Sequence, residues 1–242
     1  MNLTVAITTK NRIDFLVDLV PRLLNTPGID HIVISDDSED QSDYKQLVGL
    51  YGFDPSVHLM KNKIPLGALK NKMKAVSYYT ENDYVLLLDS DNSIESDYVE
   101  KLTSNIVELD PKIIYCPCSG GGSLDYSTMA GMRFTMDNIE SWLEDSLFLK
   151  LVNTGNYVVN RYEYLKVSYE IKYQRDPGPL DVYFFNYYWL KTGNNLFVVP
   201  GLSYNHLVHW DSYYLRSDPE ERERIEKAIK QKFDNAIKSK RA

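Results

Sequence analysis

The stretch VLLLDSDNSI, Val85 to Ile94, runs four apolar residues directly into two aspartates separated by one serine. An apolar run of that length, bounded by polar residues, reads as a buried strand. Carboxylates as close as Asp89 and Asp91 repel each other, and taking them out of water is costly unless a cation or hydrogen bonds compensate. A positive charge is therefore expected where this strand ends. Hard divalent cations such as Mn²⁺ or Mg²⁺ choose carboxylate oxygens and commonly bridge to a substrate's phosphates.

Outward from this strand, the first hundred residues alternate. Leu3–Thr8, His31–Ser35, Val57–Met60 and Tyr84–Leu88 read as strands. Between them, apolar residues recur at helical spacing over Phe15–Leu24, Tyr44–Tyr51 and Leu66–Tyr79. Such alternation predicts an α/β fold with a mostly parallel central sheet flanked by helices. Ligands of these sheets sit beyond the carboxyl ends of the strands. Three polar clusters fall there: Thr8-Thr9-Lys10-Asn11-Arg12, Ser35-Asp36-Asp37-Ser38 and Asp89-Ser90-Asp91-Asn92. They point at one shared cleft.

The second half is less regular. Ile113–Cys118 reads as a strand leading to Ser119-Gly120-Gly121-Gly122-Ser123. A helix is expected around Asn138–Leu151, a strand over Tyr157–Val159, and a loop over Lys172–Leu180, which holds Pro177-Gly178-Pro179. Another helix follows over Asp181–Lys191, then two short strands, Leu196–Val199 and Leu202–Tyr204. Residues 218–240 form a last helix, with Pro219 and two acids in its first turn and Ile225, Ile229, Phe233 and Ile237 on one stripe.

Composition narrows the classes. The 242 residues, 43% hydrophobic and 25% charged, can bury one large core. A net charge of −7 argues against a general affinity for nucleic acid or anionic membrane. No run reaches the roughly 20 apolar residues a bilayer crossing needs, and the N-terminus lacks a signal-peptide pattern. A cytoplasmic setting is expected, with a position peripheral to a membrane left open. Cys116 and Cys118, two residues apart, are too close for an unstrained disulfide and are expected reduced. Eleven of the 19 tyrosines cluster from Tyr157 to Tyr214, where amphipathic rings suit sugar faces as well as ordinary cores. Nicotinamide Rossmann, P-loop and nucleophile-elbow motifs are all missing.

The segments VAITTKNR, VISDDSED, NKIPLGALKN and VLLLDSDN, in this order, resemble the inverting family 2 glycosyltransferases of the GT-A fold. GPLDVYFFNYYWLKTG and VVPGLSYNHLVH extend the resemblance more loosely. It implies a single GT-A domain over residues 1–242, with a nucleotide-binding half to about residue 100, an acceptor-binding half over about 101–215, and a C-terminal helix. The implied reaction moves a sugar from a nucleoside-diphosphate sugar, a UDP-sugar, to a glycan or other hydroxyl acceptor with Mn²⁺ or Mg²⁺. A sugar nucleotidyltransferase and a non-catalytic sugar-nucleotide binding module are the alternatives. The first normally carries a glycine-rich loop after strand one, which Thr8–Arg12 lacks; the second has no need of Asp181.

Residue by residue, the resemblance implies that Thr8, Thr9, Asn11 and Arg12 border base and ribose, and that Asp36 or Asp37 holds the base edge. Gly67 allows close backbone approach. Lys70 meets phosphate as a point charge, with Asn71 and Ser90 beside the donor. Asp89 contacts ribose or metal, Asp91 ligates the metal, and His206 completes its shell or touches the diphosphate, with His209 as rival. Asp181 is the expected general base, with Asp176 and Asp211 behind it; a helix cap is its competing structural role. The chain departs from the family pattern at Asn92, where many relatives carry a second acid, and at Leu180-Asp181, where many carry Glu-Asp.

Overall fold

The computed structural model describes residues 1–78, 81–122, 124–171, 181–207 and 218–241. Strands β1 (Leu3–Thr9), β2 (Ile29–Asp36), β3 (Val57–Lys61) and β4 (Tyr84–Asp89) all run parallel, in the spatial order β3-β2-β1-β4. Helices α1 (Ile13–Leu24), α2 (Ser42–Tyr51) and α3 (Ala68–Tyr78) make the crossovers. Residues alternate between the two faces of each strand. Leu3, Val5 and Ile7 of β1, with Leu86 and Leu88 of β4, join one apolar core. Ala6, Val85 and Leu87 join the other.

Beyond β4 the sheet becomes mixed. After the short β5 (Ser93–Ile94) and helix α4 (Tyr98–Asn105) come β6 (Ile113–Gly121), β7 (Leu124–Asp125), β8 (Arg133–Phe134), β9 (Tyr157–Asn160) and β10 (Asn195–Asn205). β9 lies between β4 and β6 and is antiparallel to both. β10 runs parallel to β6 and antiparallel to β5 and β8. The ten strands therefore form one sheet, ordered β3-β2-β1-β4-β9-β6-β10-β5, with β7 on β6 and β8 on β10.

Three second-half elements differ from their expected form. The single helix expected over 138–151 is a 3₁₀ turn, Glu140–Trp142, followed by α5, Ser146–Val152. The reason is local: the Asp145 carboxylate accepts from the backbone N–H groups of Leu147 and Phe148 and so caps a new helix. Residues 161–170 form α6, capped in the same way by Asn160. The two short strands expected over 196–204 are one strand, β10, with a register shift between Val199 and Ser203. Helix α7 spans Tyr183–Lys191 and α8 spans Pro219–Arg241. The α8 stripe faces inward, with Ile229, Phe233 and Ile237 buried and the Phe233 ring 5.1 Å from that of Tyr187 on α7. Both cysteines are buried and free. Among the described residues, no helix is long and apolar enough to cross a membrane.

Candidate active site

Parallel pairing brings the three polar clusters to one edge. Thr8 stands opposite both Ser35 and Asp89, and Thr9 opposite Asp36. The loops are tied together as well. Asn11, held at a φ of 55°, donates its N–H to Ser38 Oγ at 2.7 Å, and Asp37 N–H donates to the Thr9 carbonyl at 2.9 Å. Asn is among the few non-glycine residues that adopt this left-handed conformation readily.

Asp36 and Asp37 are both held by protein partners. Asp36 accepts from Ser38 N–H at 2.9 Å and pairs with Lys61 at 3.0 Å. Asp37 accepts from the N–H groups of Leu66 at 2.7 Å and Gly67 at 2.9 Å, and from Asn62 Nδ2 at 2.9 Å. It thereby fixes the entrance to α3, where Gly67 takes a φ of +80° that a side chain would strain. Asn71 continues this anchoring by donating to the Ser35 carbonyl at 3.1 Å. Asp37→Ala leaves three donors without their charged acceptor, which costs about 3 kcal/mol and lowers Tm by roughly 6–12 °C for a chain of this size. Differential scanning calorimetry checks this; an unchanged Tm would remove Asp37 from the framework.

The centre of the site lies at the end of β4. Asp89 N–H donates to Asn156 Oδ1 at 2.9 Å, and Asn156 Nδ2 returns a bond to Asp89 Oδ2 at 3.2 Å. The other oxygen, Oδ1, lies 3.1 Å from Lys72 Nζ. That ammonium is only 2.6 Å from Asp181 Oδ2 as well, so one cation joins two of the expected functional carboxylates. Lys72 is 4% exposed. Burial by itself would push its pKa down, but the Asp181 and Asp89 charges outweigh this and raise it. Burial likewise pushes the Asp89 carboxyl up, and Lys72, with help from Asn156 and Arg12, brings it below the usual carboxylate range.

Asp91 is paired with Arg12, Nη1 to Oδ2, at 2.6 Å. It lines a cavity of about 260 Å³ together with Ser90, Asn92 and His206. Asn92 is what brings the last of these close: its Oδ1 accepts from Leu207 N–H at 3.1 Å, while His206 N–H donates to the Gly120 carbonyl at 3.0 Å. The hydroxyls of Ser90 and Thr9 are buried without a hydrogen-bond partner among the described residues.

Val182, not Asp181, occupies the N-cap position of α7 and makes no side-chain cap bond, and the Asp181 carboxylate turns to Lys72 instead. Lys70 is exposed on α3, two residues from the buried Lys72. His209, Asp176, Asp211 and the expected loop over 172–180 lie outside the described residues. Sequence reasoning missed Lys72 and Asn156. A signal existed for the first: Lys72 falls on the apolar stripe that Leu69 and Val76 define along α3, a costly place for an unpaired charge. None existed for Asn156, which only the pairing of β9 with β4 brings to Asp89.

The model of glycosyl transferase family 2 matches residues 4–158, more than half of the chain. No curated protein matches it. Among solved structures, S. aureus TarS superposes with a TM-score of 0.64 at 18% identity, covering 98% of this chain and 43% of that one. S. aureus TarS 1–349 in complex with UDP-GlcNAc gives 0.63 at 18% identity, covering 90% of this chain and 61% of that one. GalNAc-T7 with UDP, GalNAc and Mn²⁺ gives 0.61 at 14% identity, covering 93% and 47%. The chain thus spans less than two thirds of the length of these three. At such identities the likeness establishes the fold, which is that of the GT-A glycosyltransferases. Because the family model covers more than half of the chain, from β1 into β9 and through the ends of β1, β2 and β4, the chain belongs to glycosyl transferase family 2.

Proposed function

We propose that this chain is a metal-dependent glycosyltransferase that moves a sugar from a UDP-sugar to an acceptor hydroxyl with inversion. The observation that carries the reading is the convergence of Asp89, Asp91 and Asp181, through Lys72 and Arg12, at the carboxyl end of β4. The binding of UDP-GlcNAc by TarS 1–349, and of UDP with Mn²⁺ by GalNAc-T7, supports the donor class.

Among the described residues no three His, Cys, Asp or Glu side chains gather into a metal site, and a divalent cation would find two of the expected ligands on one cavity. Asp91 supplies hard oxygen, His206 an imidazole on the same cavity, and the buried Ser90 hydroxyl lacks a partner among the described residues. When bound, the cation would supply positive charge for the departing diphosphate. Thr8, Thr9, Asn11 and Arg12 border the nucleotide on one side, and the loop stiffened by Asp36 and Asp37 borders it on the other. Residues up to about 100 form the nucleotide half and those from about 101 to 215 the acceptor half. Lys70, exposed on α3, would meet phosphate as a point charge.

Asp181 takes the proton from the acceptor hydroxyl. The freed oxygen attacks the anomeric carbon of the sugar from the side opposite UDP; a new carbon–oxygen bond forms as UDP leaves with the electrons of the old one. Attack from the opposite side is what inverts the anomeric centre.

Calorimetric titration with UDP, GDP and dTDP, first with Mn²⁺ and then with EDTA, tests the reading. Binding of UDP in Mn²⁺ that disappears in EDTA is expected. Failure of all three nucleotides to bind would overturn it.

A further inference from the structure

We infer that Lys72 is a positioning residue that seats the Asp181 carboxylate for proton transfer; this rests on the reading of Asp181 as general base. Asp181 is a 3₁₀ residue just before α7 and makes no cap bond to that helix among the described residues; its side chain is placed through its ion pair with Lys72. The seat of that ammonium is tight. A Cβ added at Gly155 would lie 2.8 Å from Lys72 Nζ and 2.9 Å from Val182 Cγ1, so the ammonium and the residue after Asp181 both press on the same bare backbone. The next residue, Asn156, holds Asp89. Residues 155–156 thus form a floor on which one cation stands between the donor-side and acceptor-side carboxylates.

Two consequences follow from the chemistry. Without the ammonium, Asp89 and Asp181 would face each other as like charges in a poorly solvated place and move apart. With it, Oδ2 of Asp181 is occupied, and Oδ1, which has no hydrogen-bond partner among the described residues, receives the acceptor's proton. A guanidinium is larger and planar and carries its charge in a different shape, so arginine would keep the charge but not the seat.

The test uses Lys72→Met, Lys72→Arg and Gly155→Ala, each alone, and Lys72→Met combined with Asp181→Asn. UDP affinity in Mn²⁺ is read by calorimetry. Turnover is read as hydrolysis of UDP-GlcNAc and other UDP-hexoses, with water as the acceptor. Gly155→Ala and Lys72→Arg, which keep the positive charge, should lower kcat at least ~10-fold with UDP Kd within about threefold. Lys72→Met with Asp181→Asn should be no slower than Asp181→Asn alone, because a positioning residue has nothing left to position. Losses that multiply in the double variant would overturn the inference, as would a fall in UDP affinity as large as the fall in kcat. If Lys72→Met does not fold, the other two single variants decide by the same split. Absence of metal-dependent UDP binding in the unsubstituted protein would instead overturn the glycosyltransferase reading, and this inference with it.

Discussion

Asp181→Asn is expected to lower turnover by about 10²- to 10⁴-fold, the range for loss of a positioned general base, while UDP affinity in Mn²⁺ stays within about threefold. The substitution is nearly isosteric but removes the lone-pair basicity that accepts the proton. Its amide can still lie against Lys72, and that ammonium keeps Asp89 as a partner 3.1 Å away, so the cluster is not left with an orphaned charge. This is why binding should survive when chemistry does not. Steady-state hydrolysis or transfer, paired with calorimetry on the same preparation, makes the comparison. A variant that turns over at close to the normal rate would move the base elsewhere, and Asp176 and Asp211 would be substituted next. A variant that loses UDP binding in proportion would make Asp181 part of the donor site.

How far the sequence alone reaches depends on the kind of contact involved. β1 through β4 and their crossover helices were legible because each strand is a continuous apolar run and each helix carries its own stripe, signals that survive without tertiary information. The same alternation brought Thr8, Asp36 and Asp89 to one edge in advance of any coordinates. Beyond residue 100 the sheet is mixed and the partners of its strands are set by long-range pairing, and caps such as Asp145 and Asn160 decide helix starts that periodicity blurs. Helix α6 was hidden for a related reason: its buried residues Arg161, Tyr164, Val167 and Ser168 are mixed in polarity, so no apolar stripe announces it. At the site, carboxylates stood out by spacing, but the cations that neutralise them did not. Of Lys70, Lys72 and Lys74, only Lys72 falls on the apolar stripe of α3, a signal that marks a buried charge, but packing alone reveals the two aspartates that hold it.

Asp91→Ala is expected to abolish the Mn²⁺-dependent part of UDP binding, a loss of at least ~10²-fold in affinity, about 2.7 kcal/mol. The charge balance of the cluster explains the size. Among the described residues, Asp89, Asp91 and Asp181 face Arg12 and Lys72, which leaves one net negative charge there for an incoming divalent cation to reverse. With the cation in place the edge is positive and suits a diphosphate; without it, a carboxylate cluster repels one. Asp89 is engaged on both oxygens, by Lys72 and by Asn156, whereas Asp91 lines the same cavity as His206, so in this reading the cation is held by Asp91 in competition with Arg12. Removing Asp91 releases the Arg12 guanidinium, which can then meet phosphate directly. The variant should therefore keep a weak affinity for UDP that is the same in Mn²⁺ and in EDTA. Titrations in both buffers read this out. If the variant binds UDP in Mn²⁺ as tightly as the unsubstituted protein does, Asp91 does not hold the metal and the cation belongs on another group of ligands.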